Sequence, residues 1–215
     1  LLYALLFQLN IRRFIVPENA SVAFSSVFLD KTSPVDVRID EMLQWVKKLG
    51  AENNLSFRTK MGFIINGSGI APEKMTKDNI VEVRGVVFGL NRPSIYAKGQ
   101  VTPAADTLLH SDVYEALPEI NAVFCLYSPD ILETALKLGL PSTSAEQPAG
   151  SAELAQEAAN LVKVYKTARA FILKNVGVLV IGANLAEAGK AWEDLLEKTK
   201  SSAKPKPAKK QAKPK

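Results

Sequence analysis

The 215 residues, 47% hydrophobic and 23% charged, are long and apolar enough for one domain with a substantial core. The net charge of +5 describes only the C-terminal end: eight lysines lie between Lys198 and Lys215 with no acid among them, so the preceding residues carry −3. A body of that sign, its Lys and Arg mixed with acids, has no extended basic groove, which excludes specific nucleic-acid binding by the domain itself.

The chain opens on Leu1 and is expected to be processed or a fragment. Leu1 to Phe7 is an apolar run too short to span a bilayer and is expected to dock on the core or on a neighbouring subunit; the other reading makes it the end of a removed signal or membrane segment. Residues 17 to 37 look irregular between Pro17 and Pro34, with Val22-Ala23-Phe24 and Val27-Phe28-Leu29 as material for an extra strand. From Asp40 the pattern sharpens. Met42, Leu43, Trp45, Val46 and Leu49 give one helix face that Gly50 stops. Phe57, Phe63-Ile64-Ile65 and Val81 to Phe88 predict strands with turns at Gly62 and Gly67. A helix is predicted over Thr107 to Leu117, a buried strand over Ala122 to Tyr127, and a helix capped by Ser128 with Pro129 first and Gly139 and Pro141 closing it. Ser151 opens another helix with Leu154, Ala158, Leu161, Val162 and Tyr165 on one face. Phe171 to Leu173 and Val178 to Ile181 form a strand pair, and Asn184 with Glu187 makes a capping box for a last helix ending near Lys198. Strands and helices interleave without dinucleotide-type or P-loop glycine spacing, which predicts an α/β sheet covered by helices on both sides.

Residues 199 to 215, built from Lys, Pro, Ala, Ser and Gln, cannot bury enough surface to fold and are expected to be a disordered tail. The tail either tethers the chain to an acidic partner or only solubilises it. Cys125 is the only cysteine, which excludes an intrachain disulfide. Its apolar setting predicts an inert buried thiol, and a reducing, cytoplasmic location is expected.

One series of short motifs carries a resemblance. Thr102-Pro103-Ala104-Ala105-Asp106 with His110, the only histidine, stands among Asn54-Leu55-Ser56, Ser68-Gly69, Met75-Thr76-Lys77-Asp78-Asn79, Cys125-Leu126-Tyr127-Ser128-Pro129 and Asn175-Val176-Gly177. In order and spacing the series resembles the class II aldolase/adducin family, over about residues 40 to 199, and 1 to 39 are then an N-terminal extension. The resemblance implies a three-layer α/β/α sandwich around a mainly antiparallel sheet. It also implies zinc chemistry on a sugar phosphate, with three histidine ligands and a glutamate acid/base. Here the ligand positions hold Cys125, Tyr127 and Val176, and the glutamate position holds Asp106, one methylene shorter. Of the three ligand positions Cys125 alone holds an ordinary zinc ligand, and a catalytic zinc needs three. The phosphate pocket has Asn53-Asn54 for Gly-Asn and Ala104-Ala105 for Ser-Ser, so two hydroxyl donors are gone.

Three readings follow. The first is a binding or scaffold domain without cofactor or aldolase activity, a homo-oligomer, with a tetramer the form that the resemblance implies, holding a small anion through Asn54, Ser68, Gly69 and His110. The Gly-Ser-Gly turn would supply backbone N–H groups to that anion, or serve the turn alone. The second is a lyase with a rebuilt site, in which Asp106, His110 and Cys125 share a metal or divide acid/base and nucleophilic work. The third is an interaction protein that works through its ends.

Overall fold

Side-chain alternation divides the strands between two apolar faces. Leu55, Phe57, Ile64, Phe124 and Val180 point one way, and Phe63, Ile65, Val123, Leu179 and Ile181 point the other. A sheet apolar on both faces must be covered on both. The computed structural model describes residues 24–50, 53–90 and 92–203. In it eight strands form one sheet: β1 (Ser25–Asp30), β2 (Asn54–Thr59), β3 (Gly62–Asn66), β4 (Ile80–Val87), β5 (Ser94–Lys98), β6 (Ala122–Leu126), β7 (Ala170–Leu173) and β8 (Gly177–Gly182), in the order β1-β5-β4-β3-β2-β6-β8-β7. Every neighbouring pair is antiparallel except β1 with β5.

Two helices, α2 (Thr107–Ala116) and α4 (Ala152–Val164), pack Leu108, Leu109, Val113, Leu154, Ala158 and Val162 onto the Phe63–Leu179 face. The opposite face is covered by α1 (Ile39–Leu49), α3 (Pro129–Leu138) and α5 (Leu185–Ala203) through Met42, Val46, Ile131, Leu185 and Trp192. This is the expected α/β class with a three-layer, mainly antiparallel architecture. No helix among the described residues is long and apolar enough to cross a membrane.

The capping signals hold in detail. Gly50 ends α1 at φ +81. The Ser151 hydroxyl accepts the Leu154 N–H at 3.1 Å. Asn184 Oδ1 accepts the Glu187 N–H at 2.8 Å, while a Glu187 carboxylate oxygen accepts the Ala183 N–H at 3.1 Å. Ser128 occupies its predicted N-cap position, but its side chain makes no capping bond.

Other expectations shift. The apolar run at Val27-Phe28-Leu29 forms β1, whereas β5 gave no sequence signal because only Ile95 and Ala97 of its five residues point inward to full burial. Tyr165 does not complete the face of α4; it is the C-cap, 48% exposed, where the chain has left helical geometry. The last helix passes Lys198 and runs to Ala203, and Thr199 is buried with its hydroxyl on the Leu195 carbonyl at 2.8 Å. The docking expected for Leu1 to Phe7, the run Val22-Ala23 and the lysine-rich sequence beyond Ala203 lie outside the described residues.

Candidate functional site

Helix α2 lies along β2. Asp106, His110 and Tyr114 recur at the four-residue spacing that stacks side chains on one helix face, and Asn54, Ser56 and Arg58 recur at the two-residue spacing of one strand face. The two rows meet rung by rung. Asn54 Nδ2 donates to Asp106 Oδ2 at 2.6 Å. Ser56 Oγ stands 2.6 Å from His110 Nδ1 and 2.8 Å from Tyr114 Oη. Arg58 lays its guanidinium 4.7 Å from the Tyr114 ring centroid and donates to the carbonyls of Tyr114, Leu117 and Ile120. These carbonyls end α2 and its following turn, where a cation is electrostatically favoured. A polar seam therefore crosses the otherwise apolar α2–sheet interface.

Within the seam, protons can be assigned by counting. Ser56 has one hydroxyl hydrogen and two neighbours. If it donates to His110 Nδ1 and accepts from Tyr114, every hydroxyl proton is used and His110 is neutral with its proton on Nε2. Nε2 is buried with no partner among the described residues. Burial pushes the His110 pKa down to about 3, so the imidazole stays neutral at ordinary pH. Burial likewise raises the Tyr114 phenol, outweighing the Ser56 bond and the charges of Arg58 and Arg38. The resemblance places His110 near a cleft as a ligand-binding group; the structure instead spends its Nδ1 on Ser56 at zero exposure.

Asp106 is the N-cap residue of α2 and 8% exposed. Its Oδ2 is held by Asn54, and its Oδ1 has no partner of hydrogen-bond geometry among the described residues. Burial raises its pKa, tempered by the Asn54 amide and the backbone N–H of Gly150. Gly150 sits at φ +75, and a Cβ there would lie 2.9 Å from the Ala105 carbonyl oxygen. Glycine is needed for the loop before α4 to close against the residue preceding Asp106.

The three positions that the resemblance assigns to zinc ligands do converge. Cys125 is the cross-strand partner of Asn54, and Leu126 that of Val178, which puts Tyr127 and Val176 at the same end of β6 and β8. Their chemistry does not fit the metal. Cys125 is buried and its thiol pKa is raised well above the ordinary value, first by burial and then by the Asp106 carboxylate. It is the one ordinary zinc ligand among the three positions, and a catalytic zinc needs three. Tyr127 lies beyond the end of β6 and is 36% exposed, while Val176 packs against the core and has no donor atom. Among the described residues no three His, Cys, Asp or Glu side chains gather as a metal would require. Asp106 and Cys125 are neighbours, but His110 is committed one turn further along α2.

The turn after β3 is pinned on both sides by its own amides. The Gly67 N–H donates to the Asn79 carbonyl at 2.7 Å, and the Ser68 N–H donates to the Thr102 carbonyl at 2.9 Å. Two of the turn's amides are thus spent on backbone carbonyls, one just before β4 and one in the segment that leads into Asp106. Ser68 and Gly69 themselves are exposed. Asn66, which the sequence did not single out, secures the same junction: its Oδ1 accepts the Leu55 N–H at 2.7 Å and its carbonyl accepts the Ala104 N–H at 3.0 Å. Arg58, Tyr114 and Gly150 were not singled out either, and Ser56 stood only as part of the Asn54-Leu55-Ser56 motif, without its role between His110 and Tyr114. The signal for Ser56, Arg58 and Tyr114 was polar residues at core spacing on both an apolar strand and an apolar helix face.

Fold and site can be set beside known proteins. A model of the class II aldolase and adducin N-terminal domain matches residues 41–199. Among solved structures, L-fuculose 1-phosphate aldolase superposes with a TM-score of 0.63 at 22% identity, over 83% of this chain and 93% of that one. YgbL from Escherichia coli, a putative aldolase/epimerase/decarboxylase by its title, gives 0.60 at 22% identity, over 75% and 86%. The l-fuculose-1-phosphate aldolase of Thermus thermophilus gives 0.57 at 18% identity, over 78% and 94%. No curated protein is matched by sequence. The structural likenesses speak for the fold, and the family model, covering most of the length, establishes that the chain belongs to the class II aldolase and adducin family.

Proposed function

We propose that this domain works by binding, as a scaffold on the class II aldolase fold, without metal-dependent cleavage of a sugar phosphate. The observation that carries this reading is the fate of the three converging ligand positions: a single buried thiol at Cys125, a partly exposed phenol at Tyr127 and an isopropyl group at Val176. Zinc would supply Lewis-acid stabilisation of the developing enediolate, worth several kcal/mol of barrier. These side chains offer it no such set of donors. The other parts of the site point the same way. Asp106 keeps a carboxyl at the acid/base position but spends one oxygen on Asn54, and the sole imidazole is locked to Ser56. Assembly as a homo-oligomer belongs to the proposal, since closed symmetric assembly is the common form of soluble oligomers.

Elemental analysis of the untagged full chain, with turnover of L-fuculose 1-phosphate measured with and without added zinc, tests the reading. Zinc well below stoichiometric and no aldehyde release are expected. Stoichiometric zinc accompanied by turnover that Asp106→Ala abolishes overturns it.

A further inference from the structure

Residues 1–23 leave the described structure at Phe24, which is buried on the sheet face that α2 and α4 cover. The Ser25 N–H donates to the Pro93 carbonyl at 2.8 Å, which fixes that exit beside the β4–β5 connection. On this connection Phe88 and Leu90 are exposed, at 61% and 106%. Phe88 overhangs a groove of about 420 Å³ between α2 and α4, with Ala116 and Ala159 in its floor and Asp112, Glu115 and Glu153 on its edges. Among the described residues Lys163 is the only basic side chain lining it. None of the three acids forms an ion pair among the described residues. The groove therefore mixes alanine methyls with the Gln156 and Asn160 amides, is net negative at its rim and lies next to the point where the first 23 residues depart.

Residues 1–16 have the complementary make-up. They are apolar at Leu1, Leu2, Leu5, Leu6, Phe7, Leu9, Ile11, Phe14 and Ile15, and Arg12 and Arg13 are their only charged side chains. Residues 17–23 give the segment about 23 Å of extended reach. We propose that residues 1–16 of the same chain dock in the groove between α2 and α4, with Arg12 and Arg13 against Asp112, Glu115 and Glu153 and the apolar side chains covering Phe88 and the alanine floor. The docked segment extends the core on the α2–α4 face and neutralises a rim whose like charges otherwise repel.

Trypsin cleavage after Arg12 and Arg13, followed by mass spectrometry on the full chain, tests this. The full chain is expected to be cut at least about tenfold more slowly than a synthetic peptide of residues 1–20, because cleavage tracks the undocked population. Glu115→Lys combined with Glu153→Lys, both at exposed positions, should speed cleavage about five- to tenfold, as two ion pairs turned to repulsions would. Glu73→Lys, on the α1 side of the sheet, should not. An unchanged thermal melting curve in the double variant separates release of the segment from unfolding. Equal cleavage of chain and peptide, indifference to the charge reversals, or protection that disappears on dilution and so assigns the segment to a second copy, overturns the proposal.

Discussion

Acidification distinguishes a packed His110 from one open to ligands. The folded pKa of about 3 lies below the ordinary 6.5 because burial disfavours the imidazolium. Between those values the unfolded chain holds a proton at residue 110 that the folded chain lacks. Stability therefore rises with pH across this window, by about 1.4 kcal/mol per pH unit, and is lost as pH falls. From about pH 7.5 to about pH 5 the loss from this residue amounts to about 2 kcal/mol. Asp106 and Asp112 act in the opposite sense. Their pKa values are raised by burial, to about 6 for Asp112 with Glu115 adding to it, so acidification relieves them. The wild-type curve alone thus mixes signs, and the readout is its difference from His110→Asn. Asparagine can put an amide near the position of Nδ1 and keep the bond to Ser56, but has nothing to protonate. Urea unfolding at a series of pH values should show the wild type losing about 2 kcal/mol relative to the variant over that interval. Parallel curves would mean that the native imidazole is solvated, and the buried seam would be refuted.

Three further outcomes follow from the same geometry. Ser56→Ala strips the buried His110 Nδ1 and Tyr114 hydroxyl of their shared partner, and should lower the unfolding free energy by about 2–4 kcal/mol with an unchanged urea slope; a loss under about 1 kcal/mol contradicts the network. Gly150→Ala forces a Cβ onto a positive-φ position 2.9 Å from the Ala105 carbonyl oxygen, and should cost about 1–3 kcal/mol in the same measurement. Cys125 should react with iodoacetamide at about pH 8 at least about a hundredfold more slowly in the native chain than in urea, since it is buried and its thiol is held protonated; comparable rates would return it to the set of reactive or metal-binding groups.

The elements that announce themselves in the sequence are those whose pattern is long or punctuated. The α1 face ends on a glycine, α3 begins with proline after a cap position, and α5 carries its Asn184–Glu187 box, all local signals that need no knowledge of neighbours. β5 has no comparable pattern, and one of its two pairings is long-range: besides β4 just before it, it takes β1 as a parallel neighbour from about seventy residues upstream in sequence. The site divides along the same line. The motifs gave the order of Asn54, Asp106, Cys125, Tyr127 and Val176 along the chain, and strand pairing then gathers them at one end of β2, β6 and β8, with Asp106 against Asn54. Motif order could not show that the Gly67 and Ser68 amides are spent on Asn79 and Thr102, or that Ser56 takes up the imidazole, because each depends on a partner distant in sequence.

The same partners explain how the site region holds together with these side chains. Three unliganded imidazoles packed at one sheet end would leave buried nitrogens without partners, each costing about 1–3 kcal/mol. The residues present avoid that cost in three ways. A thiol is cheap to bury in its neutral form, as at Cys125; a phenol can reach water, as at Tyr127; and an isopropyl group packs, as at Val176. The one imidazole that remains, on α2, has Ser56 for one nitrogen and leaves only Nε2 unmatched. The Asn54–Asp106 and Ser56–His110–Tyr114 rungs join α2 to β2 through side chains of the chain itself. Breaking a rung should therefore lower global stability whether or not metal is added, whereas in a metal-held site added zinc would restore what the mutation removed.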